Sequence, residues 1–172
     1  MRLFIAIRLD SSMKRLAGDI QRAFREQNVR GNYTPEENLH ITLAFIGEYS
    51  DPDAVLDAMT GVSFQPFSVT MDSVGSFDGI WWAGFSKSRE LDSLAGKLRR
   101  ALAEAGVPYD RKKFKAHVTV LRKPERDRQG SMIPVSIAPE TMLVDRISLM
   151  RSDRGKNGMI YTEVGSVYAV EG

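Results

Sequence analysis

The two histidines of this 172-residue chain occur in the same four-residue pattern, His40-Ile41-Thr42-Leu43 and His117-Val118-Thr119-Val120, and no others exist. In an extended strand alternate side chains point to opposite faces. His40 and Thr42 then share one face and His117 and Thr119 another, while Ile41, Leu43, Val118 and Val120 turn into a core. An imidazole titrates near pH ~6.5, so of two of them one can take a proton while the other gives one. Threonine hydroxyls beside them can donate to oxygens on which charge develops. Two such strands face to face suit in-line displacement at a phosphorus. No metal is expected, because a metal site needs three or four ligands and the chain has two histidines and no cysteine.

The elements that must position these strands follow from apolar period and turn residues. Leu3 to Leu9 reads as a buried strand, and Asp10-Ser11-Ser12 offers caps for a helix over Ser12 to Gln27. Asn28 to Asn32, with Gly31, breaks it, and a link with Pro35 leads to the first motif strand, Leu39 to Ile46. Asp51-Pro52-Asp53 starts a second helix to about Met59. Phe64 to Val74 and Ile80 to Phe85 form a hairpin around Gly75 to Gly79, and a helix spans Arg89 to Ala105. The second motif strand is Ala116 to Leu121, followed by strands over Thr141 to Arg151 and Met159 to Val170. The order strand, helix, break, motif strand therefore occurs twice, with 36 positions from Phe4 to His40 and 36 from Trp81 to His117. Two similar lobes about a pseudo-two-fold axis, each giving one His-Thr pair to a shared cleft, are expected.

The doubled motif, with Arg2 to Ile7, Glu37 to Glu48, Trp81-Trp82-Ala83-Gly84, Phe114 to Arg122, Leu149 to Ser152, Gly158 and Tyr161, resembles the 2H phosphoesterase superfamily. Within it the chain resembles the RNA 2′,3′-cyclic phosphodiesterases, also called 2′-5′ RNA ligases. The resemblance implies an α+β fold over residues 1–172 as a single domain: two pseudo-symmetric lobes, each an antiparallel sheet backed by helices, with a central cleft. It implies hydrolysis of RNA 2′,3′-cyclic phosphate ends to 2′-phosphomonoesters without cofactor or metal, and a reverse 2′-5′ ligation. By that resemblance His40 is the general acid toward the departing 3′ oxygen and His117 the general base toward water. Thr42 and Thr119 hold the phosphate, and Arg122 and Tyr33 contact substrate. Ala116 stands where the family often has proline, Val120 where leucine is common and Tyr33 where tryptophan is frequent. Strand alternation puts Arg122, five positions after His117, on the opposite face if the strand stays regular; a strand-end twist or a bulge brings it round, and otherwise it is a surface salt-bridge partner.

The net charge of +2 hides an asymmetry: residues 1–86 carry 7 basic and 11 acidic side chains, residues 87–172 carry 17 and 11. Positive charge gathers at Arg111, Lys112, Lys113, Lys115, Arg122, Lys123, Arg126 and Arg128, which fits a polyanion across one lobe. Tyr33, Phe45, Trp81 and Trp82 are candidates for base stacking, although core packing is the plainer expectation for Phe45 and Trp82. Glu37 reads as a solvated carboxylate. The expected partner is RNA with 2′,3′-cyclic phosphate ends, such as tRNA fragments. A cytoplasmic monomer is expected, with no membrane contact, since no apolar run approaches the ~20 residues of a membrane span. Two other readings stay open: the same chemistry on small cyclic nucleotides or 2′-5′ oligonucleotides, and a nucleotide- or RNA-binding module without turnover.

Overall fold

Each apolar run and each amphipathic stretch becomes the element its period dictates, as the computed structural model of residues 1–125 and 134–170 shows. Strand β1 (Arg2–Arg8) buries five residues in succession, which requires cover on both faces. Asp10 caps helix α1 (Ser11–Glu26), its Oδ1 accepting the Met13 N–H at 2.8 Å. The helix buries Met13, Ala17, Ile20, Gln21 and Phe24. Asn28, at φ 62°, turns the chain, but the expected break is shorter than Asn28 to Asn32. Arg30–Tyr33 forms an edge strand, β2, because its backbone finds a partner far along the sequence.

A 3-10 turn, Glu36–Asn38, leads into β3 (His40–Glu48). Helix α2 (Pro52–Thr60) has Asp51 as its cap and Pro52 in its first turn. Strands β4 (Phe67–Phe77) and β5 (Ile80–Phe85) form the expected hairpin, but through a tighter turn. Asp78 and Gly79 both have positive φ, the geometry of a two-residue turn that matches strand twist. Gly75 therefore belongs to β4, where a Cβ would collide with the ring of Trp82 on the neighbouring strand. Ser88 caps α3 (Arg89–Glu104), and β6 (His117–Glu125) follows.

The single strand expected over Thr141 to Arg151 is two strands: β7 (Glu140–Val144) and β8 (Arg146–Gly155), separated at Asp145. They belong to different sheets, so the chain crosses between lobes at that residue. A continuous apolar run hides such a crossing, because both pieces are buried. Strand β9 (Gly158–Tyr168) completes a four-stranded sheet of order β3-β1-β8-β9. The second sheet has the order β2-β6-β5-β4-β7, and all pairings in both are antiparallel.

The two sheets and three helices make the expected α+β, two-lobed architecture, with the helices exchanged between lobes. Helix α1 follows β1 in the chain yet packs on β6 and β7 of the five-stranded sheet, with Phe24 edge-on to Trp81 at 4.9 Å. Helix α3 follows β5 yet packs on β3 of the four-stranded sheet, alongside α2, which covers β9. The main apolar core runs from Leu3 and Ile5 through Phe24, Ile41 and Leu98 to Val118 and Leu149, and Phe4, Ala6 and Met150 form a smaller cluster with Phe45 and Tyr161. No described helix is long and apolar enough to cross a membrane.

Candidate active site

His40 opens β3 and His117 opens β6, and the two rings are held in the same way. Nδ1 of each lies 2.6 Å from a main-chain carbonyl two residues earlier, that of Asn38 for His40 and of Lys115 for His117. A carbonyl can only accept, so Nδ1 carries the hydrogen and Nε2 is the atom that exchanges protons. Asn38 is itself buried, and its amide donates to the Met159 carbonyl at 2.9 Å, tying the His40 approach to β9. Nε2 of His40 lies 2.8 Å from Thr42 Oγ1. Phe4, at 4.9 Å, and Tyr161, edge-on at 5.5 Å, wall in His40. Phe77, at 5.0 Å, and Trp82, at 6.4 Å, do the same for His117.

Both motif strands carry a β-bulge at the third residue after the histidine. In β3, Thr42 pairs with Ala6 and Ala44 with Ile5, leaving Leu43 as the extra residue. In β6, Thr119 pairs with Trp82 and Leu121 with Trp81, leaving Val120 as the extra residue. A bulge disturbs the ladder and reverses the phase of alternation beyond it. Helix side chains bond to carbonyls at the bulges: Arg99 Nε donates to Leu43 O at 3.2 Å, and Gln21 Nε2 donates to Thr34 O at 2.8 Å and to Val120 O at 3.0 Å, which also accepts the Thr34 N–H at 3.1 Å. The exchanged helices thus brace each other's motif strand. The phase reversal decides the open alternatives for Arg122: the bulge returns it to the face of His117 and Thr119. In β3 the same reversal brings Phe45 toward the cleft.

His40, Thr42, His117, Thr119 and Arg122 meet around one cavity of about 120 Å³, completed by Thr34, Ile80 and Tyr161. At roughly 30 Å³ per water that holds a phosphate group and a nucleophile but no nucleoside. Two wider grooves, of about 740 and 660 Å³, open beside it and share Arg122 and Tyr161. Burial, and then the neighbouring His117 and Arg122, push His40 down from 6.5 to about 4, against the opposing pull of the Asn38 carbonyl. Burial also lowers His117, with Arg122 and Lys115 adding to the effect and the Lys115 carbonyl opposing it. With no anion between them both imidazoles are neutral at neutral pH. An anion bound between them would offset the burial and the arginine and raise both.

Tyr33 lies outside the phosphate cavity. It lines the 660 Å³ groove, with the Arg25 guanidinium 4.2 Å from its ring centroid and its hydroxyl donating to Val29 O at 2.7 Å. Of the two tryptophans it is Trp81 that is core, at 6% exposed, whereas Trp82 and Phe45 are half-buried, which corrects the expectation for both. Glu37 is exposed. The basic cluster disperses: Arg122 lines the cavity, Lys115 lies 5.0 Å over Trp82, and Arg111, Lys112 and Lys113 stay exposed. Arg126 and Arg128 lie outside the described residues. Sequence reasoning assigned no site role to Asn38, Tyr161, Phe77 or Thr34. Among the described residues no three His, Cys, Asp or Glu side chains gather into a metal-binding group.

The profile of the 2′-5′ RNA ligase superfamily matches residues 5–156. The chain belongs to this family. It is 31% identical over 175 residues to the RNA 2′,3′-cyclic phosphodiesterase of Archaeoglobus fulgidus, covering 95% of this chain and 98% of that one. The enzyme of the same name from Thermotoga maritima is 28% identical over 173 residues, covering 94% and 91%. The crystal structure of Escherichia coli LigT complexed with 3′-AMP superposes with a TM-score of 0.82 at 25% identity, over 99% of this chain and 98% of that one. The two-sheet arrangement is thus the fold of the family.

Proposed function

We propose that this protein hydrolyses RNA 2′,3′-cyclic phosphate ends to 2′-phosphomonoesters, with His40 and His117 as the acid–base pair. The observation that carries this reading is the paired geometry. Two imidazoles, each fixed through Nδ1–H, line one phosphate-sized cavity with Thr42, Thr119 and Arg122. The relatives' shared name supplies the substrate class.

In the step proposed, the cyclic phosphate enters as an anion between the histidines. Thr42 turns its hydroxyl from His40 to a non-bridging oxygen, Thr119 donates to another, and Arg122 balances the charge that accumulates. Nε2 of His117 takes a proton from water as its oxygen bonds to phosphorus. The bond from phosphorus to O3′ breaks, and Nε2–H of protonated His40 supplies the proton to O3′. The two histidines then exchange protons with solvent. A 5′-hydroxyl RNA in place of water, losing its proton to His117 while His40 again protonates O3′, gives 2′-5′ ligation. Tyr33 faces the nucleoside in the adjoining groove. We place this chemistry in a cytoplasmic monomer of one domain acting on RNA ends, tRNA fragments among them.

The test is hydrolysis of a short RNA ending in a 2′,3′-cyclic phosphate, with EDTA present and the 2′- and 3′-phosphate products resolved. A 2′-phosphate product, lost in both His40→Ala and His117→Ala, is expected. Turnover that requires an added divalent metal, or that survives either substitution, overturns the mechanism.

A further inference from the structure

The phosphate cavity opens into two grooves that share Arg122 and differ in how much further positive charge they carry. The 660 Å³ groove holds Tyr33, Asn32, Thr34 and Asn157, with one further arginine, Arg25, stacked on the Tyr33 ring. The 740 Å³ groove runs from His40 past Phe45 to Arg2, Arg151 and Arg154. It is built by pairing rather than by any local motif: β1 lies against β8 with Arg2 opposite Ser152, so the two ends of the chain bring their arginines together. Its two acidic residues are already engaged, Glu48 with the N-terminal amine and Asp153 with Arg151, each at 3.0 Å. Arg2, Arg122 and Arg154 have no ion-pair partner among the described residues. Arg2 lies 5.1 Å from the centroid of the half-buried Phe45 ring, which forms part of the lining.

A mononucleoside cyclic phosphate has one base and one ribose beside its phosphate, and fills one groove. The arginine groove then has nothing to bind. Unpaired guanidiniums lining a groove that begins at the catalytic phosphate suit a second phosphate, and an aromatic face beside them suits a second base. We infer that this groove binds the phosphodiester and base preceding the terminal nucleotide, so that the enzyme selects oligonucleotide ends over mononucleoside 2′,3′-cyclic phosphates. The inference rests on the hydrolytic reading above and adds the length of substrate to it. Of the basic cluster around the second motif, Arg122 lines this groove.

The experiment compares kcat/KM for uridine 2′,3′-cyclic phosphate and for a trinucleotide ending in the same group, in the wild type and in an Arg2→Gln, Arg154→Gln double variant. The wild type is expected to favour the trinucleotide by tenfold or more, and the double variant to lose most of that ratio. The preference also falls with salt, by a log–log slope of about −0.7 for each phosphate contacted. Equal kcat/KM for the two substrates in the wild type, or a ratio unchanged by the substitutions, overturns the inference while leaving hydrolysis intact. If neither substrate turns over, the hydrolytic reading fails separately. Fluorescence anisotropy with a labelled trinucleotide 3′-phosphate then decides the groove: weaker binding by the double variant supports it, and equal binding overturns it.

Discussion

Acidification singles out His40. Its pKa is about 4 in the folded protein against 6.5 unfolded, because burial and the neighbouring His117 and Arg122 disfavour the imidazolium. Between those values the unfolded chain binds more protons than the folded one, so stability rises with pH across the window and is lost as pH falls. At pH 4.5 the linkage for this one group is on the order of 2–3 kcal/mol, and at pH 5.5 roughly half that. These are sizeable fractions of the 5–15 kcal/mol typical of a domain. The assay is urea unfolding of the wild type and of His40→Asn at several values from pH 7 to pH 4.5. Carboxylates titrate in both proteins, so the difference between the two slopes isolates the imidazole. His40→Asn is expected to lose about 2 kcal/mol less than the wild type over that range. Parallel curves would refute the reasoning, since they would mean that the ring is charged at no cost in the fold. With two histidines in the chain, the ring resonances give an independent titration that needs one variant to assign.

Arg122 depresses both imidazoles and lies at the phosphate cavity. Arg122→Gln is therefore expected to raise both histidine pKa values in an NMR titration and to lower kcat/KM by about 100-fold, the usual cost of removing one charge-stabilising donor; unmoved histidines would place the guanidinium elsewhere. Gln21→Leu removes two hydrogen bonds to the carbonyls of Val120 and Thr34. It should cost about 2 kcal/mol in urea unfolding at roughly 1 kcal/mol per bond, and loss of activity at full stability would contradict the bracing role.

Much of the site was legible because its signal is local. A histidine and a threonine two apart on a strand share a face whatever the rest of the chain does, and Asp10, Asp51 and Ser88 cap helices through atoms three residues away. The helix exchange was not legible, since nothing in the stripe of α1 says which sheet its Phe24 will meet. Nor was the crossing at Asp145, where two buried strands abut without a turn signal. The arginine groove depends on Arg2 and Arg154 meeting across 152 positions, and charge counted along the chain pointed instead to the loop around 111–128.

The bulges are a different case, because they leave a trace. In each motif strand the alternation of apolar and polar residues fails at the same place: Leu43 is followed by buried Ala44, and Val120 by buried Leu121. A strand covered on both faces, such as β1, also buries neighbours, but Leu43 and Ala44, like Val120 and Leu121, pack into one and the same core, so the doublet marks an inserted residue. Read in one strand, it is a weak sign that a strand end or a twist explains as well. Read in both, three residues after each histidine, it marks one device used twice. That device carries the active site: without the extra residue at Val120 the alternation would turn Arg122 away from the phosphate. Beside it the Val120 carbonyl, which also accepts the Thr34 N–H, and the Thr34 carbonyl give Gln21, a polar side chain only 6% exposed, its partners in the interior.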